Sequence, residues 1–163
     1  MILYIVRHGI AVDKTDPKAP PDPERPLTAK GVQKTRAAAL GLKELKVKPD
    51  ALITSPYVRA AQTAEIFAET LGFPTAKVRV ADALKPGSNP ADFVKELLRV
   101  KAQEAMCFGH APHLDQLIAE LVGARGAFTE LKKAGVASLE HAGPHSAWRL
   151  VSILTPKVLR QLA

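Results

Sequence analysis

The chain has 163 residues, 47% of them hydrophobic and 24% charged, which fits a single compact domain over residues 1–163 with a buried core. Its formal net charge of +7 and pI near 9.7 favour anionic partners without choosing among phosphate compounds, nucleic acid and acidic membrane surfaces. No stretch approaches the ~18 apolar residues of a membrane span. The apolar start MILYIV has no basic segment before it, and the lone Cys107 rules out an internal disulfide, so a cytoplasmic protein making no membrane contact is expected.

Residues 2–6, ILYIV, predict a strand that runs into Arg7, His8 and Gly9. The segment 16–26, DPKAPPDPERP, carries five prolines and predicts a loop with little ladder pairing. Residues 27–45 predict a helix with Thr28 as N-cap and Val32, Ala39, Leu42 and Leu45 on its buried side. ALIT, 51–54, predicts a second strand. It leads into SPYVRAAQTAEIFAETLG, where Ser55 caps a helix, Pro56 takes its first position and Gly72 closes it. Strands follow over 77–81 and 104–109, and helices over 89–100, begun by Asn89 and Pro90, and 114–123. Two late strands, 135–141 and 147–154, flank the turn AGPHS as a candidate antiparallel hairpin, and a short helix begins after Pro156. This alternation of apolar strands and amphipathic helices predicts an α/β fold, a three-layer α/β/α sandwich around a mostly parallel sheet.

In such sheets ligands sit beyond the carboxyl ends of the strands. The first strand there delivers Arg7 and His8, the second leads to Arg59 in the first turn of the next helix, and the fourth ends at Gly109 and His110. Two arginines and two histidines therefore converge on one edge. Arginine offers bidentate donors to phosphate oxygens, and a neutral imidazole can attack phosphorus. Arg59 near a helix N-terminus opposes the macrodipole, a misfit that suits a residue placed to meet an anion. His113, His141 and His145 lack comparable support and read as structural or surface residues. The spacing of His110 and His113 lacks further ligands, so no metal site is expected.

The motifs RHG at 7–9, SPYVRAAQTAE at 55–65 and GHAP at 109–112, in this order, resemble the histidine phosphatase superfamily, with its phosphoglycerate-mutase-like fold. The resemblance covers essentially the whole chain. The small size, RPLTAKG at 25–31 and ELKKAGVASLE at 130–140 are most similar to the shortest members, the SixA-type phosphohistidine phosphatases. The resemblance implies that His8 is a nucleophile forming a covalent phosphohistidine, that Arg7 and Arg59 clamp the phosphoryl oxygens, and that His110 donates to the transition state. It implies no metal and no cofactor. Ser55 and Thr15 are lesser candidates for further phosphate contacts.

One departure bears on substrate. Relatives that hydrolyse phosphate esters carry a carboxylic acid soon after the third strand, in a Leu-x-Glu setting, where this chain has DALKPGSNP with Pro86 at the Glu position. An alkoxide leaves poorly, its conjugate acid having a pKa near that of water, ~15.7, whereas an imidazole leaves as a base whose conjugate acid has a pKa of ~6.5. The missing acid favours a phosphohistidine-bearing protein as substrate, although Asp13, Asp16, Glu24 and Asp82 remain candidate acids. Short connections leave the site uncovered, and Lys14, Lys18, Arg25, Lys30 and Lys85 lie near its expected rim. The alternatives are a phosphomonoesterase acting on a small phosphorylated metabolite and, in another class, a non-catalytic phosphate- or nucleic-acid-binding module. Only 5% aromatic residues and no basic helix argue against nucleic acid. Residues 123–131, GARGAFTEL, read either as a loop near the site or as a plain connection.

Overall fold

The computed structural model describes residues 1–143 and 147–163, so His145 lies outside the described residues. Six strands form one sheet: β1 (Ile2–Arg7), β2 (Ala51–Thr54), β3 (Arg79–Val80), β4 (Glu104–Gly109), β5 (Val136–Glu140) and β6 (Arg149–Leu154). They lie in the order β3-β2-β4-β1-β5-β6. The pairs β3–β2, β2–β4 and β4–β1 are parallel, and β5 runs antiparallel to both β1 and β6, so the two late strands pair as expected, while residues 144–146 of the turn expected between them lie outside the described residues. Five helices cover the sheet: α1 (Ala29–Glu44), α2 (Val58–Leu71), α3 (Pro90–Leu97), α4 (His113–Val122) and α5 (Pro156–Leu162).

The strand period of two sorts side chains between two cores. Leu3 and Ile5 of β1 join Ala105 and Cys107 of β4 on the face covered by Phe93 and Leu97 of α3 and Leu114, Leu117 and Ile118 of α4. Val6, Met106 and Phe108 point the other way, against Ala38, Ala39 and Leu42 of α1, Phe67 of α2 and Leu159 of α5. Both faces of the central strands are thus buried, which explains their unbroken apolar runs. Cys107 is wholly buried in this packing, and burial pushes its thiol pKa up.

Local signals set most element ends. Thr28 caps α1 by accepting from the Gly31 N–H at 3.0 Å, Asn89 caps α3, and Gly72 closes α2. Three expectations are corrected. Ala39 and Leu42 of the first helix are buried as expected, but Val32 and Leu45 are exposed, and Gly31, Thr35, Ala38 and Gly41 complete the buried stripe in their place. The helix turns this small-residue stripe inward because α5 crosses so close that a Cβ on Gly41 would lie 2.1 Å from the Leu159 carbonyl oxygen. The strand expected over 77–81 shrinks to Arg79 and Val80, because Thr75–Lys77 winds into a 3₁₀ turn. Finally, α2 starts at Val58, two residues beyond Pro56, with Tyr57 at the cap position and no side-chain cap.

The parallel register levels three strand ends. Arg7 pairs with Gly109 and Thr54 with Phe108. The His8 N–H donates to the Gly109 carbonyl at 3.0 Å, and the Ser55 N–H to the Phe108 carbonyl at 2.9 Å. The loops leaving β1, β2 and β4 therefore begin side by side.

Candidate active site

The four residues expected at the strand ends meet in one cleft of about 350 Å³, lined by Arg7, His8, Arg59 and His110 together with Asp13, Lys14, Arg25, Pro86 and Lys133. His8 is 8% exposed, Arg59 4% and His110 2%. The rings of His8 and His110 stand 5.1 Å apart, and Tyr57 packs edge-on against His110 at the same centroid distance.

His8 is held in one tautomer. Its Nδ1 lies 2.7 Å from the Gly9 carbonyl oxygen, which can only accept, so Nδ1 carries the proton and Nε2 presents a lone pair. The Arg59 Nε–H donates to that Nε2 at 3.3 Å. Burial, reinforced by the charges of Arg59, Arg7 and Lys133, pushes the His8 pKa down to about 4 against the opposing pull of the Gly9 bond. The ring is accordingly neutral at pH 7. Burial, then His8 and Arg59, lower His110 further, to about 2. His110 Nε2 lies 2.9 Å from the Ser55 hydroxyl, and its Nδ1 is buried with no hydrogen-bond partner among the described residues.

Gly9 follows His8 for a steric reason. A Cβ there would lie 2.2 Å from the Thr35 hydroxyl oxygen and 3.3 Å from Leu27 Cδ2, while its N–H donates to the Thr63 hydroxyl at 3.0 Å. The glycine lets the chain press against α1 and α2 immediately after His8.

Both arginines are tethered from distant parts of the chain. Arg59 donates through Nη1 to the Asp22 carbonyl at 2.7 Å and pairs through Nη2 with the Asp22 carboxylate at 3.4 Å. Arg25 binds the same carboxylate at 2.9 Å through Nε. Partial burial acts to raise the Asp22 pKa, but Arg25 and Arg59 prevail and hold it below its ordinary value. Arg7 donates to the Leu131 carbonyl at 2.8 Å. Leu131 is in turn fixed by Asp115, which accepts from its N–H at 2.9 Å and from the Thr129 hydroxyl at 2.7 Å. The 123–131 connection thus ends as a mount for Arg7, with Phe128 exposed on the way.

The remaining expectations divide. Ser55 does not cap α2; its hydroxyl accepts from the Tyr57 N–H at 3.3 Å and bonds His110. Lys14 and Arg25 line the cleft, whereas Lys18, Lys30 and Lys85 do not, and Lys85 pairs with Asp82 at 2.9 Å. Of the candidate acids Asp13, Asp16, Glu24 and Asp82, only Asp13 reaches the lining. It accepts from both the N–H and the hydroxyl of Thr15 at 2.8 Å, and these bonds lower its pKa. Thr15 itself is not among the residues lining the cleft. Both ring nitrogens of His113 are buried without partners, and no three His, Cys, Asp or Glu side chains gather as a metal site among the described residues. His141 stacks on Trp148, with ring centroids 4.9 Å apart. Asp22, Tyr57, Asp115 and Lys133 escaped the sequence reading.

Fold and cleft define an α/β protein with two neutral imidazoles set among cationic side chains at the ends of parallel strands. Residues 3–85 match the family model of the histidine phosphatase superfamily (branch 1). An uncharacterised protein of Picosynechococcus sp. is 34% identical, covering 98% of this chain and 99% of its own. The phosphohistidine phosphatase SixA of Escherichia coli K12 is 31% identical over 74% of each chain. The solved structure of the protein histidine phosphatase SixA complexed with tungstate superposes with a TM-score of 0.85 at 26% identity, covering 98% of this chain and 99% of that one. The chain belongs to the histidine phosphatase superfamily and is a phosphatase of that family. His110 lies outside the matched residues 3–85, so its place in the cleft rests on the geometry alone.

No helix among the described residues is long and apolar enough to cross a membrane.

Proposed function

We propose that the chain is a phosphohistidine phosphatase acting through a covalent intermediate on His8, without metal or cofactor. The lone pair of His8 Nε2 attacks phosphorus in line. The new N–P bond forms as the P–N bond to the substrate ring breaks; that ring carries a proton on its other nitrogen, so it departs as a neutral imidazole keeping the bond's electron pair, while His8 keeps its Nδ1 proton. One phosphoramidate replaces another, so the exchange is nearly balanced and needs no strong acid. Water then attacks the phosphoenzyme, releasing phosphate and restoring Nε2.

Arg59 exchanges its contact with Nε2 for a phosphoryl oxygen, and Arg7, mounted on Leu131, takes another oxygen. His110, positioned by the Ser55 hydroxyl at 2.9 Å from its Nε2, lines the cleft beside His8 and supplies a further donor to the phosphoryl oxygens. The five cationic side chains lining the cleft, Arg7, Lys14, Arg25, Arg59 and Lys133, neutralise the phosphoryl group.

The observation that carries the reading is the state of the leaving-group side of the cleft. Asp13 is the one carboxylic residue in the lining; its bonds from Thr15 favour the ionised form, and Pro86 offers no proton. An alcohol leaving from this site would find no poised acid, whereas an imidazole leaves without one.

The test measures phosphate release from a phosphohistidine protein and from a panel of phosphate esters, with a chelator present, each beside His8→Ala. Fast phosphohistidine turnover with weak ester turnover, both lost in the variant, is expected. Fast ester turnover would replace this reading with a phosphomonoesterase. Loss of turnover on adding chelator would overturn the metal-free mechanism.

A further inference from the structure

A second cavity, of about 670 Å³, adjoins the cleft and shares Arg7 and Lys133 with it. It opens between α1 and the start of α5, and its lining holds the cations Arg7, Lys34, Lys132, Lys133, Lys157 and Arg160 but no carboxylate. Lys132 pairs with Glu130, whereas Lys34, Lys133, Lys157 and Arg160 have no ion-pair partner among the described residues. Ile10, Ala134 and Pro156 complete an apolar floor, and no aromatic side chain is present to stack a base.

We infer that this cavity docks a carboxylate-bearing segment of the phosphoprotein whose phosphohistidine enters the adjoining cleft. The inference rests on the phosphohistidine reading above. Clustered unpaired cations select an anionic occupant, the apolar floor selects one with aliphatic parts between its charges, and the volume far exceeds one phosphate. Because the two depressions share Arg7 and Lys133, a ligand filling both is one continuous molecule, with the phosphorylated ring at one end and the acidic stretch across the other. Lys34, Lys157 and Arg160 belong to the cavity and not to the cleft, so they separate docking from chemistry.

The test uses the full chain, its Lys34→Glu/Lys157→Glu/Arg160→Glu variant, and two phosphohistidine peptides that differ only in Asp and Glu residues exchanged for Asn and Gln. The variant is expected to raise KM for the acidic peptide tenfold or more with kcat unchanged, and to leave the neutral peptide within twofold. Equal effects on both peptides, or none on either, overturn the inference. Fluorescence anisotropy of the unphosphorylated acidic peptide gives a readout independent of turnover, with binding expected to weaken at least tenfold in the variant. If neither peptide is hydrolysed, the phosphohistidine reading fails and anisotropy alone decides the docking site. Binding of tripolyphosphate that the variant abolishes, without binding of the acidic peptide, would assign the cavity to small polyanions and overturn the inference. Circular dichroism establishes that the variant is folded.

Discussion

The neutral state of His8 is a quantitative claim, and lowering the pH tests it. Burial and the neighbouring cations bring the pKa of this ring from 6.5 to about 4. At pH 5 such an imidazole stays about nine-tenths free base, whereas an unperturbed one retains about 3%, a thirtyfold difference in competent nucleophile. The free protein's histidine ring protons, followed by NMR with His8 assigned through His8→Ala, are expected to show this residue titrating near pH 4. The same depression has a stability consequence. The unfolded chain takes up the proton near pH 6.5 and the folded chain only near 4, so stability is full above about pH 6.5 and falls as the pH drops through that interval. His8 alone contributes a loss of about 2 kcal/mol between pH 7 and 5, and His110, lowered in the same direction, adds to it. Urea unfolding at the two pH values measures the sum. Titration of His8 near 6.5 would refute the argument that its surroundings keep Nε2 free.

The Asp22 carboxylate shares Arg59 with any incoming phosphoryl group, and Asp22→Asn removes that competing charge while the Asp22 carbonyl still holds Nη1. Inhibition by tungstate is therefore expected to tighten about fivefold, as for a partly exposed pair worth ~1 kcal/mol; unchanged or weaker inhibition would contradict it. Asp115→Ala frees Leu131 and with it the Arg7 mount, costing about 1–3 kcal/mol of stability in denaturant melts and raising KM. A rise in KM no larger than that of a distant variant of equal stability would remove Asp115 from the site's support. Gly9→Ala drives a methyl into the Thr35 hydroxyl, costing about 1–3 kcal/mol, and Thr35→Ala in the same chain should recover much of that loss. Simple additivity of the two substitutions would show that the contact is not the cause.

Where local chemistry dictates structure, the sequence was legible. Apolar runs set β1 and β4, Thr28 and Asn89 announced their helix starts, and three strand ends leading to Arg7, to Arg59 in the first turn of α2 and to His110 fell at one sheet edge, as the parallel topology requires. What escaped depends on contacts remote in sequence. Asp22 reaches Arg59 across 37 residues, and Leu131 reaches Arg7 across 124, each through loop carbonyls that carry no side-chain signature. Val32 and Leu45 misled because periodicity alone does not choose which helix face turns inward; α5, arriving from the end of the chain, selects the small residues around Gly41. Ser55 illustrates a related ambiguity. A serine before proline is an ordinary cap by pattern, yet here its hydroxyl serves His110.

The covalent intermediate is the centre of the mechanism. Full-length protein mixed with a phosphohistidine protein, quenched in base within the first turnovers and mapped by mass spectrometry, should carry the phosphoryl group on His8, and the label should be absent from His8→Ala. A phosphoryl group on His110 or elsewhere, or turnover that proceeds with no labelled residue, would contradict nucleophilic catalysis by His8.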